Sequence, residues 1–590
     1  MIPANLSPYQ FTGWTRGTTD LVTEPGHYQH DTPNGPVAII VGNQCGSQAR
    51  AVDVRVTLEP GQELRLWDWQ RVGPSQPDPM PSDPLTFFGG PLLCNDEPMQ
   101  WVGGPVPNAA GWDCHLRTRL GMFNVNVWFT WYAGQGWANG ECMVTCSEAG
   151  RTELGDRCPE IRLSWGHATV WPLGKPHGAP IVDAGTWFAD GQARVVPFSF
   201  LWHQLWNSGR DFGSAHAAAM RAISLRGCLS TFTDGTPSFP ASFSARNWGA
   251  SHWRRCVDLL HTWDEPALGW ARNSGQTGAQ EDQCFTGVEW TRDDGAGCEV
   301  VNYFAALKHA NKPCHHLEHD GTVVDALRRP ALRMFYSRPH KSGGDMLGKL
   351  AELDPASASG WNGPDAQHWF ISRLAMAART VWSPACQRLL EHQARNYLIQ
   401  LTTTPGWATS AVWSARELGW EGIAAVHLWR ELGDRTLAHR VREHFRARAR
   451  YLATVLPMDK PWDVRRDDSR LGSGDWWMPW QQAIGAYGLD LGCRVIGDGG
   501  SSLRAICEAG ARLVVDTAWQ REGSRWVECE LAALDGRRSR SGYFSTSWLP
   551  LALAVGPLTE AGESIRQQVL ADADGDGKWC MPIGARAPEF

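Results

Sequence analysis

The first part of the chain contains short strand-like runs, of which residues 52–58 alternate apolar and polar residues with the two-residue period of β-strands. Strand-like runs occupy residues 37–41, 52–58 and 124–131, and Gly, Pro and Asn residues separate them. Successive side chains of a strand point to opposite faces of a sheet, so this period predicts half-buried strands. Many short strands with turns between them are typical of a sandwich or barrel with more than one sheet. We therefore predict a β-sandwich-like domain over residues 1–240.

From about residue 360 onward, apolar residues recur at three- and four-residue spacing instead. This spacing places them on one face of an α-helix. Short breaks such as Gly433 with Asp434, and residues 497–500, separate the periodic segments, so consecutive helices should lie antiparallel beside each other. The helices predicted in this way cover residues 367–380, 385–401, 420–432, 435–455, 481–496 and 501–520.

The change of period predicts a multidomain protein of the β plus α class, with the β-rich part first and the helical part after it. A chain of 590 residues is too long for a single core, which agrees with more than one domain. Residues 241–360 follow neither period and are assigned to an irregular linker and loop region. Residues 361–555 are expected to form an (α/α) toroid or a helical bundle, and residues 556–590 a C-terminal tail.

Composition adds a candidate ligand, because the chain contains 33 Trp residues among 590. Many stand in short clusters with Asp, His, Arg or Gln, as in residues 474–482 and 362–369. Indole rings stack on flat partners such as sugar rings, whose hydroxyls need polar neighbours. Packing in the core is the alternative for each Trp. The clusters point toward glycans without naming a reaction.

Charge and hydropathy exclude other classes of partner. The net charge is −7 and no block of Lys and Arg is present, so nucleic acid is not expected as a partner. No stretch is apolar for long enough to cross a bilayer, so no membrane contact is expected. The sequence carries no recognisable secretory signal, which makes a cytoplasmic location the default and leaves a virion or non-classical export open. The 16 Cys residues are then expected to be reduced, mostly buried thiols.

Two short motifs resemble the (α/α)-toroid carbohydrate-active enzymes. One is the segment 421–434, which ends in the turn Leu432-Gly433-Asp434, and the other is the segment 365–369 with Asp365, His368 and Trp369. The second is similar to the entry motif of some toroidal polysaccharide lyases, including exo-acting rhamnogalacturonan lyases. The resemblance covers about 360–555 and implies a toroid that acts on polysaccharides. It carries over no residue roles.

The catalytic candidates are His368, Asp365, His316, Asp475 and Tyr336. An imidazole transfers protons near neutral pH, so His368 is the first choice for acid/base work, with Asp365 orienting it. The alternative is a helix cap at Asp365 with a packed His368. His316 belongs to the cluster 315–319, whose H-x-x-E-H pattern also occurs in a class of zinc peptidases.

That zinc chemistry needs a sustained helix, which Pro313 and Gly321 interrupt, so a substrate cleft is preferred for the 315–319 cluster and no metal site is assigned. Whether the cluster binds a metal stays open. Tyr336 is a candidate lyase acid, and Asp475 supplies a carboxylate beside a Trp cluster.

The substrate-binding candidates are Trp369, Trp477 and Trp480 as a sugar platform, with Arg246 and Arg416 as clamps for a uronate carboxylate. Glu417 and Glu421 share a helix face; the pattern fits a surface pair linked to Arg416 as well as it fits catalysis.

Asp572, Asp574 and Asp576 match the first half of a calcium-binding loop, but its twelfth position holds Ile583 in place of the usual Glu. No cofactor is otherwise expected, with weak calcium binding at these three Asp residues as the alternative to a solvated turn.

Together these features predict a glycan-active enzyme, a polysaccharide lyase or a glycoside hydrolase that acts on a polysaccharide or oligosaccharide at a Trp-lined cleft. The alternative is a non-catalytic carbohydrate-binding or structural protein, such as a virion component. The sequence leaves open the substrate sugar and the oligomeric state.

Overall fold

A computed structural model of the protein describes residues 11–202 with short gaps, residues 384–403, and residues 414–576 with short gaps. These residues belong to two compact units. The N-terminal unit contains 11–202 and 384–392, and the C-terminal unit contains 393–403 and 414–576. The N-terminal unit is rich in β-strands and the C-terminal unit is mainly helical, as the two periods of the sequence predict.

The first sheet of the N-terminal unit has five antiparallel strands in the order β1-β4-β3-β2-β5. These strands are β1 (Phe11–Thr19), β2 (Gly26–Thr32), β3 (Gly35–Gln44), β4 (Arg50–Leu58) and β5 (Gln70–Val72). Alternate residues of β4, namely Val52, Val54 and Val56, are buried, whereas Arg55 and Thr57 are exposed. One face of this sheet is therefore apolar and buried, and the opposite face is mixed, since Asp53 and Ile40 on it are buried beside exposed Arg55 and Thr57.

The second sheet has seven antiparallel strands in the order β15-β17-β12-β11-β10-β8, with β9 also paired to β10. They are β8 (Gln100–Trp101), β9 (Val106–Pro107), β10 (Gly111–Leu120), β11 (Phe123–Tyr132), β12 (Trp137–Cys146), β15 (Ala168–Pro172) and β17 (Ala193–Trp202). Short strands β6 (Leu93–Cys94), β7 (Glu97–Pro98), β13 (Gly155–Arg157), β14 (Leu163–Ser164) and β16 (Trp187–Ala189) form two small sheets.

The core of the N-terminal unit lies on the inner face of the second sheet. Buried residues of β10 and β11 alternate with half-exposed ones, and the inner rings of Trp112 and Trp131 stack at 5.1 Å between centroids. Tyr132, at the end of β11, packs near Trp14 of β1 and donates a hydrogen bond to Asp53 of β4 at 2.6 Å. This contact joins the edges of the two sheet cores.

The C-terminal unit contains six α-helices and a small antiparallel sheet within the described residues. The helices are α1 (Pro384–Thr403), which begins in the N-terminal unit, α2 (Ala415–Glu431), α3 (Arg435–Val455), α4 (Pro479–Val495), α5 (Leu503–Ala518) and α6 (Glu560–Asp576). A 3-10 segment covers Ser545–Ala554. Asp434 caps α3 by accepting a hydrogen bond from the Leu437 backbone N–H at 3.0 Å, which explains why this helix begins at the predicted residue.

Helices α2 and α4 run parallel and approach closely through glycines. A Cβ atom on Gly422 would lie 2.2 Å from the Gly488 carbonyl oxygen, and one on Gly485 would lie 2.5 Å from the Ala415 carbonyl oxygen. Only glycine permits this approach of two backbones. Helix α3 lies antiparallel to α2, since Arg448 reaches Glu421, and α5 lies antiparallel to α4, since Arg504 reaches Asp490.

Two expectations need correction. The region predicted to be helical also contains a five-stranded sheet made of β18 (Arg465–Asp468), β19 (Gly472–Trp477), β20 (Trp519–Glu522), β21 (Arg525–Ala533) and β22 (Arg538–Arg540). The predicted C-terminal tail begins with helix α6, which packs against β21 through Gln568, whose side chain exchanges two hydrogen bonds with the Trp526 backbone. In both places, pairing with distant segments determines the structure.

Several cysteines are free and buried, as expected: Cys94, Cys114, Cys142, Cys158, Cys493, Cys507 and Cys529. Burial raises the pKa of the Cys94 thiol to about 12, so this thiol stays protonated and unreactive. Among the described helices, none combines the length and apolar character needed to cross a membrane.

Candidate functional site

The candidate site lies where the parallel helices α2 and α4 begin. Residues 414–417 enter α2 and residues 478–482 enter α4; these two segments are called the paired N-termini below. The Ala415 carbonyl packs against Gly485, which brings the two helix starts side by side. The first backbone N–H groups of a helix have no partner within the helix and carry a partial positive charge. Two parallel helix starts therefore favour a negatively charged group at this end.

Arg416 and Trp480 meet at the paired N-termini. The guanidinium carbon of Arg416 lies over the Trp480 indole, 5.5 Å from the ring centroid. Such cation–π contacts hold a guanidinium against an aromatic face. The sequence selected both residues for sugar binding, and the structure brings these two together.

Buried polar atoms at the paired N-termini lack hydrogen-bond partners within the described part of the chain. They are the Ser414 hydroxyl, Trp480 Nε1 and Gln481 Oε1, on side chains that are buried by nine-tenths or more. A buried polar atom without a partner costs about 1–3 kcal/mol. Their combined cost is large for one small region, and a ligand that supplied the missing bonds would offset it.

Gln482, the next residue along α4, is also buried, but both atoms of its side-chain amide have hydrogen-bond partners. Its Oε1 accepts a hydrogen bond from the Trp462 backbone N–H at 3.0 Å, and its Nε2 donates to the Gly510 carbonyl at 3.0 Å. In Gln481, by contrast, Nε2 donates to Met478 Sδ at 3.0 Å, which is a weak acceptor. Its Oε1 has no hydrogen-bond partner among the described residues. The two adjacent glutamines thus differ in role: Gln482 joins segments of the core, and Gln481 has binding capacity left over.

Two other predicted residues lie in β19, just before α4. Trp477 is 2% exposed, so its indole packs in the core and offers no open face; this favours the packing interpretation over the sugar platform for this residue. Asp475 is exposed and its Oδ1 lies 4.0 Å from Arg466 Nε on β18. Exposed ion pairs of this kind contribute little to stability.

The remaining predicted site residues lie outside the described residues. They are His368, Asp365, His316, Tyr336, Trp369 and Arg246. The convergence of these residues with Asp475 on one pocket therefore stays a prediction.

Glu421 belongs to a second polar cluster inside the C-terminal unit. Its position corrects the interpretation of Glu421 as part of a surface pair linked to Arg416. Its side chain is fully buried and accepts a bond from Arg448 Nε at 3.3 Å, so it is neither on the surface nor paired with Arg416. Burial raises the pKa of Glu421, while the charge and hydrogen bond of Arg448 oppose that shift. His444 packs edge-on to Tyr397 at 5.8 Å, and burial together with the charge of Arg448 lowers the pKa of His444 to about 4.

The next question is whether the described side chains could bind a metal ion. Within the described residues, no group of three or more His, Cys, Asp or Glu side chains could hold an ion. The backbone of Asp572, Asp574 and Asp576 is helical, as the end of α6, but their side chains are not described. Calcium binding at these three residues stays a prediction.

No protein-family model matches the chain, and a search of the curated proteins also finds no match.

Sequence reasoning missed Ser414 and Gln481 as site residues. Neither residue type is distinctive, and their significance comes from burial without partners, which only the tertiary structure gives. The spacing of Gly419 with Gly422, and of Gly485 with Gly488, is a signal that could have indicated two closely packed helices. The paired N-termini can donate from backbone N–H groups and the indole, accept at Gln481, and attract an anion through Arg416. This combination suits a ligand that carries both hydroxyls and a negative charge.

Proposed function

We propose that the protein is a glycan-active enzyme and that the paired N-termini form part of its sugar site. The observation that carries this proposal is the set of buried polar atoms on Ser414, Trp480 and Gln481 that have no hydrogen-bond partner among the described residues. Sugar hydroxyls both donate and accept hydrogen bonds, so one sugar ring could satisfy a hydroxyl, an indole N–H and an amide oxygen together.

The arrangement of the helices supports an (α/α) toroid. In such a toroid, successive helical hairpins place their inner helices parallel to each other and their outer helices antiparallel to the inner ones. Helices α2 and α4 fit the inner positions, and α3 and α5 fit the outer positions. A toroid would gather the N-termini of its inner helices at one mouth, where α2 and α4 begin.

We base the preference for an acidic sugar, and hence for a lyase over a hydrolase, on Arg416 and on the two helix N-termini, which also face the buried carboxylate of Glu417 in the same segment. Arg416 and the helix N-termini would neutralise a uronate carboxylate, which acidifies the proton on the adjacent carbon. A base removes this proton, a carbon–carbon double bond forms, and the bond to the leaving glycosidic oxygen breaks as that oxygen takes up a proton.

For the base we propose His368, oriented by Asp365, with Tyr336, His316 and Asp475 as further candidates for the proton transfers. Replacing a general acid or base typically lowers turnover by about 10²-fold or more, which is the expected effect of His368→Ala. Unchanged turnover in this variant would remove His368 from the mechanism.

The experiment that tests this proposal is a substrate screen. The full chain is incubated with acidic and neutral polysaccharides, and the products are followed by the absorbance of unsaturated uronates and by a reducing-end assay. A lyase gives both signals on an acidic polymer, whereas a hydrolase gives only new reducing ends. Silence in both assays across the panel, with binding retained, would favour the non-catalytic carbohydrate-binding protein instead.

A matched pair of arginine variants locates the activity. Arg416→Gln should lower kcat/KM by about tenfold or more, the scale of a lost charge-assisted contact. Arg442 on α3 lies over the Trp429 ring in a similar way, at 5.1 Å, and provides the control. Arg442→Gln should leave kcat/KM within about twofold of the wild type, since Arg442 lies outside the paired N-termini and a cation–π pair near the surface contributes only about 0.5–1 kcal/mol to the fold. Equal effects of the two variants would reject the paired N-termini as the site.

A further inference from the structure

The hairpin of β18 and β19 leads directly into the paired N-termini and carries a tryptophan outside the proposed sugar site. Trp476 of β19 is 7% exposed, and its indole Nε1 is buried without a hydrogen-bond partner among the described residues. Buried indole N–H groups usually find a partner. The N–H of Trp480, four residues further along the chain, is in the same state. Two unsatisfied indole donors therefore flank Met478 in the sequence.

Trp476 is paired with an arginine in the same way as Trp480. Arg465 lies directly across from Trp476 on β18, and its guanidinium carbon is 5.8 Å from the centroid of the indole. Asp463 holds this guanidinium, with Oδ2 3.0 Å from Nη2 and Oδ1 3.4 Å from Nε. A guanidinium beside a carboxylate offers donors and acceptors together, which is the combination that sugar hydroxyls need. Because Asp463 balances the charge of Arg465, this position favours hydroxyls over a further carboxylate.

Met478 connects the two indoles. Its side chain packs against the apolar cluster that contains Trp476 and Leu531, and its Sδ accepts a hydrogen bond from the Gln481 amide at 3.0 Å. Four residues of fully extended chain span at most roughly 14 Å, so the Cα atoms of Trp476 and Trp480 are no further apart than this. One short oligosaccharide can therefore meet both indoles.

The Trp476 indole is a hydrogen-bond donor in this group and not a stacking platform. The apolar cluster and Arg465 cover its ring, which leaves the N–H as the part with binding capacity. The carboxylate of Asp467, also on β18, is engaged, because its Oδ1 accepts a bond from the Gly474 backbone N–H at 3.1 Å. Arg465 is the most exposed member of the group, at 39%, so a sugar would enter from its side.

We propose that Trp476, Arg465 and Asp463 form a second sugar position, which binds the ring next to the one held at the paired N-termini. The Trp476 N–H and the Arg465 guanidinium donate to hydroxyls of this ring, and the Asp463 carboxylate accepts from them. The inference rests on the proposed sugar site at the paired N-termini. It adds that the ligand is an oligomer held through two consecutive rings, so that a single sugar fills the first position only.

The test compares ligands of two lengths. Binding of galacturonic acid and of tetragalacturonate to the full chain is measured by isothermal titration calorimetry. The tetramer should bind the wild type at least about tenfold more tightly, because a second ring adds several hydrogen bonds. Trp476→Phe keeps an aromatic ring and removes the N–H. It should weaken binding of the tetramer about fivefold, the scale of one hydrogen bond, and leave binding of the single sugar unchanged.

A matched pair of Arg and Trp in the same sheet provides the control. Arg521 of β20 is exposed and lies directly across from Trp526 of β21, whose Nε1 already donates to the Ser564 hydroxyl at 3.1 Å. Trp526→Phe and Arg521→Gln should leave both dissociation constants unchanged. Arg465→Gln should weaken binding of the tetramer about threefold, the scale of an exposed ionic contact. Since Arg465 is half-exposed, this variant tests the proposal even if Trp476→Phe does not fold.

The outcomes separate the second position from the first. Unchanged tetramer binding in Trp476→Phe or in Arg465→Gln, equal losses for the two ligands, or losses of the same size in the control variants would overturn the second position and leave the paired N-termini as a site. If the wild type binds neither ligand, the proposed sugar site and the second position fail together.

Discussion

The two units differ in where they keep their polar side chains. Among the described residues of the N-terminal unit, the buried polar side chains are Asp53, Glu141, Thr145 and Ser199. The C-terminal unit buries a larger and more highly charged set: Ser414, Glu417, Glu421, His427, Arg430, Glu431, Arg448, Gln481, Gln482 and Asp490. Burying charges and amides costs free energy unless each finds a partner.

This difference places the proposed sugar site in the unit that buries more polar and charged groups. The paired N-termini hold polar atoms out of water before any ligand arrives, which is the preorganisation that catalysis requires. Substitutions at the buried polar groups of the C-terminal unit are therefore expected to lower the stability of the fold strongly. Substitutions of half-exposed polar residues on the sheets of the N-terminal unit should lower it little.

The largest effect is expected at the buried pair of Glu421 and Arg448. Arg448→Met should lower the free energy of unfolding by about 3–5 kcal/mol, because the Glu421 carboxyl then stays buried without its cation. The double variant Glu421→Gln with Arg448→Met should recover most of the loss. Chemical denaturation of the three proteins measures this. A double variant no more stable than Arg448→Met would mean that the pair is not coupled.

The next effect is expected where helices α2 and α4 touch. A Cβ atom on Gly488 would lie 2.0 Å from the Gly419 carbonyl oxygen, so Gly488→Ala must push the helices apart. Overpacking of this kind costs about 1–3 kcal/mol. In Gly562→Ala the new methyl group meets no atom closer than 3.4 Å, and this control should keep or slightly raise the stability. Equal melting temperatures for the two variants would contradict the close approach of the helices.

A smaller, pH-dependent effect is expected at His444. The pKa of His444 is about 4 in the folded protein against an ordinary value of 6.5. The unfolded chain takes up a proton near pH 6.5, and the folded protein does so only near pH 4. The contribution of His444 to stability is thus present above pH 6.5 and is lost as the pH falls toward 4.

The variant His444→Phe keeps an aromatic ring beside Tyr397 and removes the titration. Its melting temperature should therefore fall less between pH 7 and pH 4 than that of the wild type. The exposed His439 on the same helix provides the control, and His439→Gln should follow the wild-type profile. A wild-type profile in His444→Phe would show that another group causes the acid dependence.

The smallest effect is expected on the sheet face of the N-terminal unit. The Thr130 hydroxyl donates to Asp113 in a half-exposed position. Thr130→Val should change the free energy of unfolding by less than about 1 kcal/mol, because water can replace the lost bond. A loss as large as that of Arg448→Met would remove the contrast between the two units.

The periods of the sequence predicted the main elements because those elements bury one apolar face. Helix α3 covers the predicted residues 435–455, because an Asp cap and an amphipathic pattern act within the segment itself. Strand β18 was missed because its sequence, Arg465–Asp468, has no apolar alternation, and it becomes a strand only by pairing with β19. Short polar strands of this kind depend on their partners more than on their own residues.

For the candidate site, residue type indicated Arg416 and Trp480 but could not show that they meet. That contact depends on the parallel packing of α2 and α4, which brings together residues far apart in sequence. The burial of Trp477 and the pairing of Glu421 with Arg448 depend in the same way on neighbours from other elements. Residue type alone does not show which neighbours an indole ring has in the folded protein.

The most direct test of the central claim compares the adjacent residues Gln481 and Gln482, each replaced by Met, which has a similar volume and no amide. The measurement is the melting temperature together with kcat/KM on the acidic polysaccharide cleaved best by the wild type. Gln481→Met should melt at the wild-type temperature or above, because a buried acceptor without a partner is removed, and should lose about tenfold or more in kcat/KM. Gln482→Met should melt lower, because it loses its bonds to Trp462 and Gly510. A Gln481→Met variant that is fully active, or one destabilised as much as Gln482→Met, would contradict the claim that the paired N-termini hold polar groups ready for a sugar.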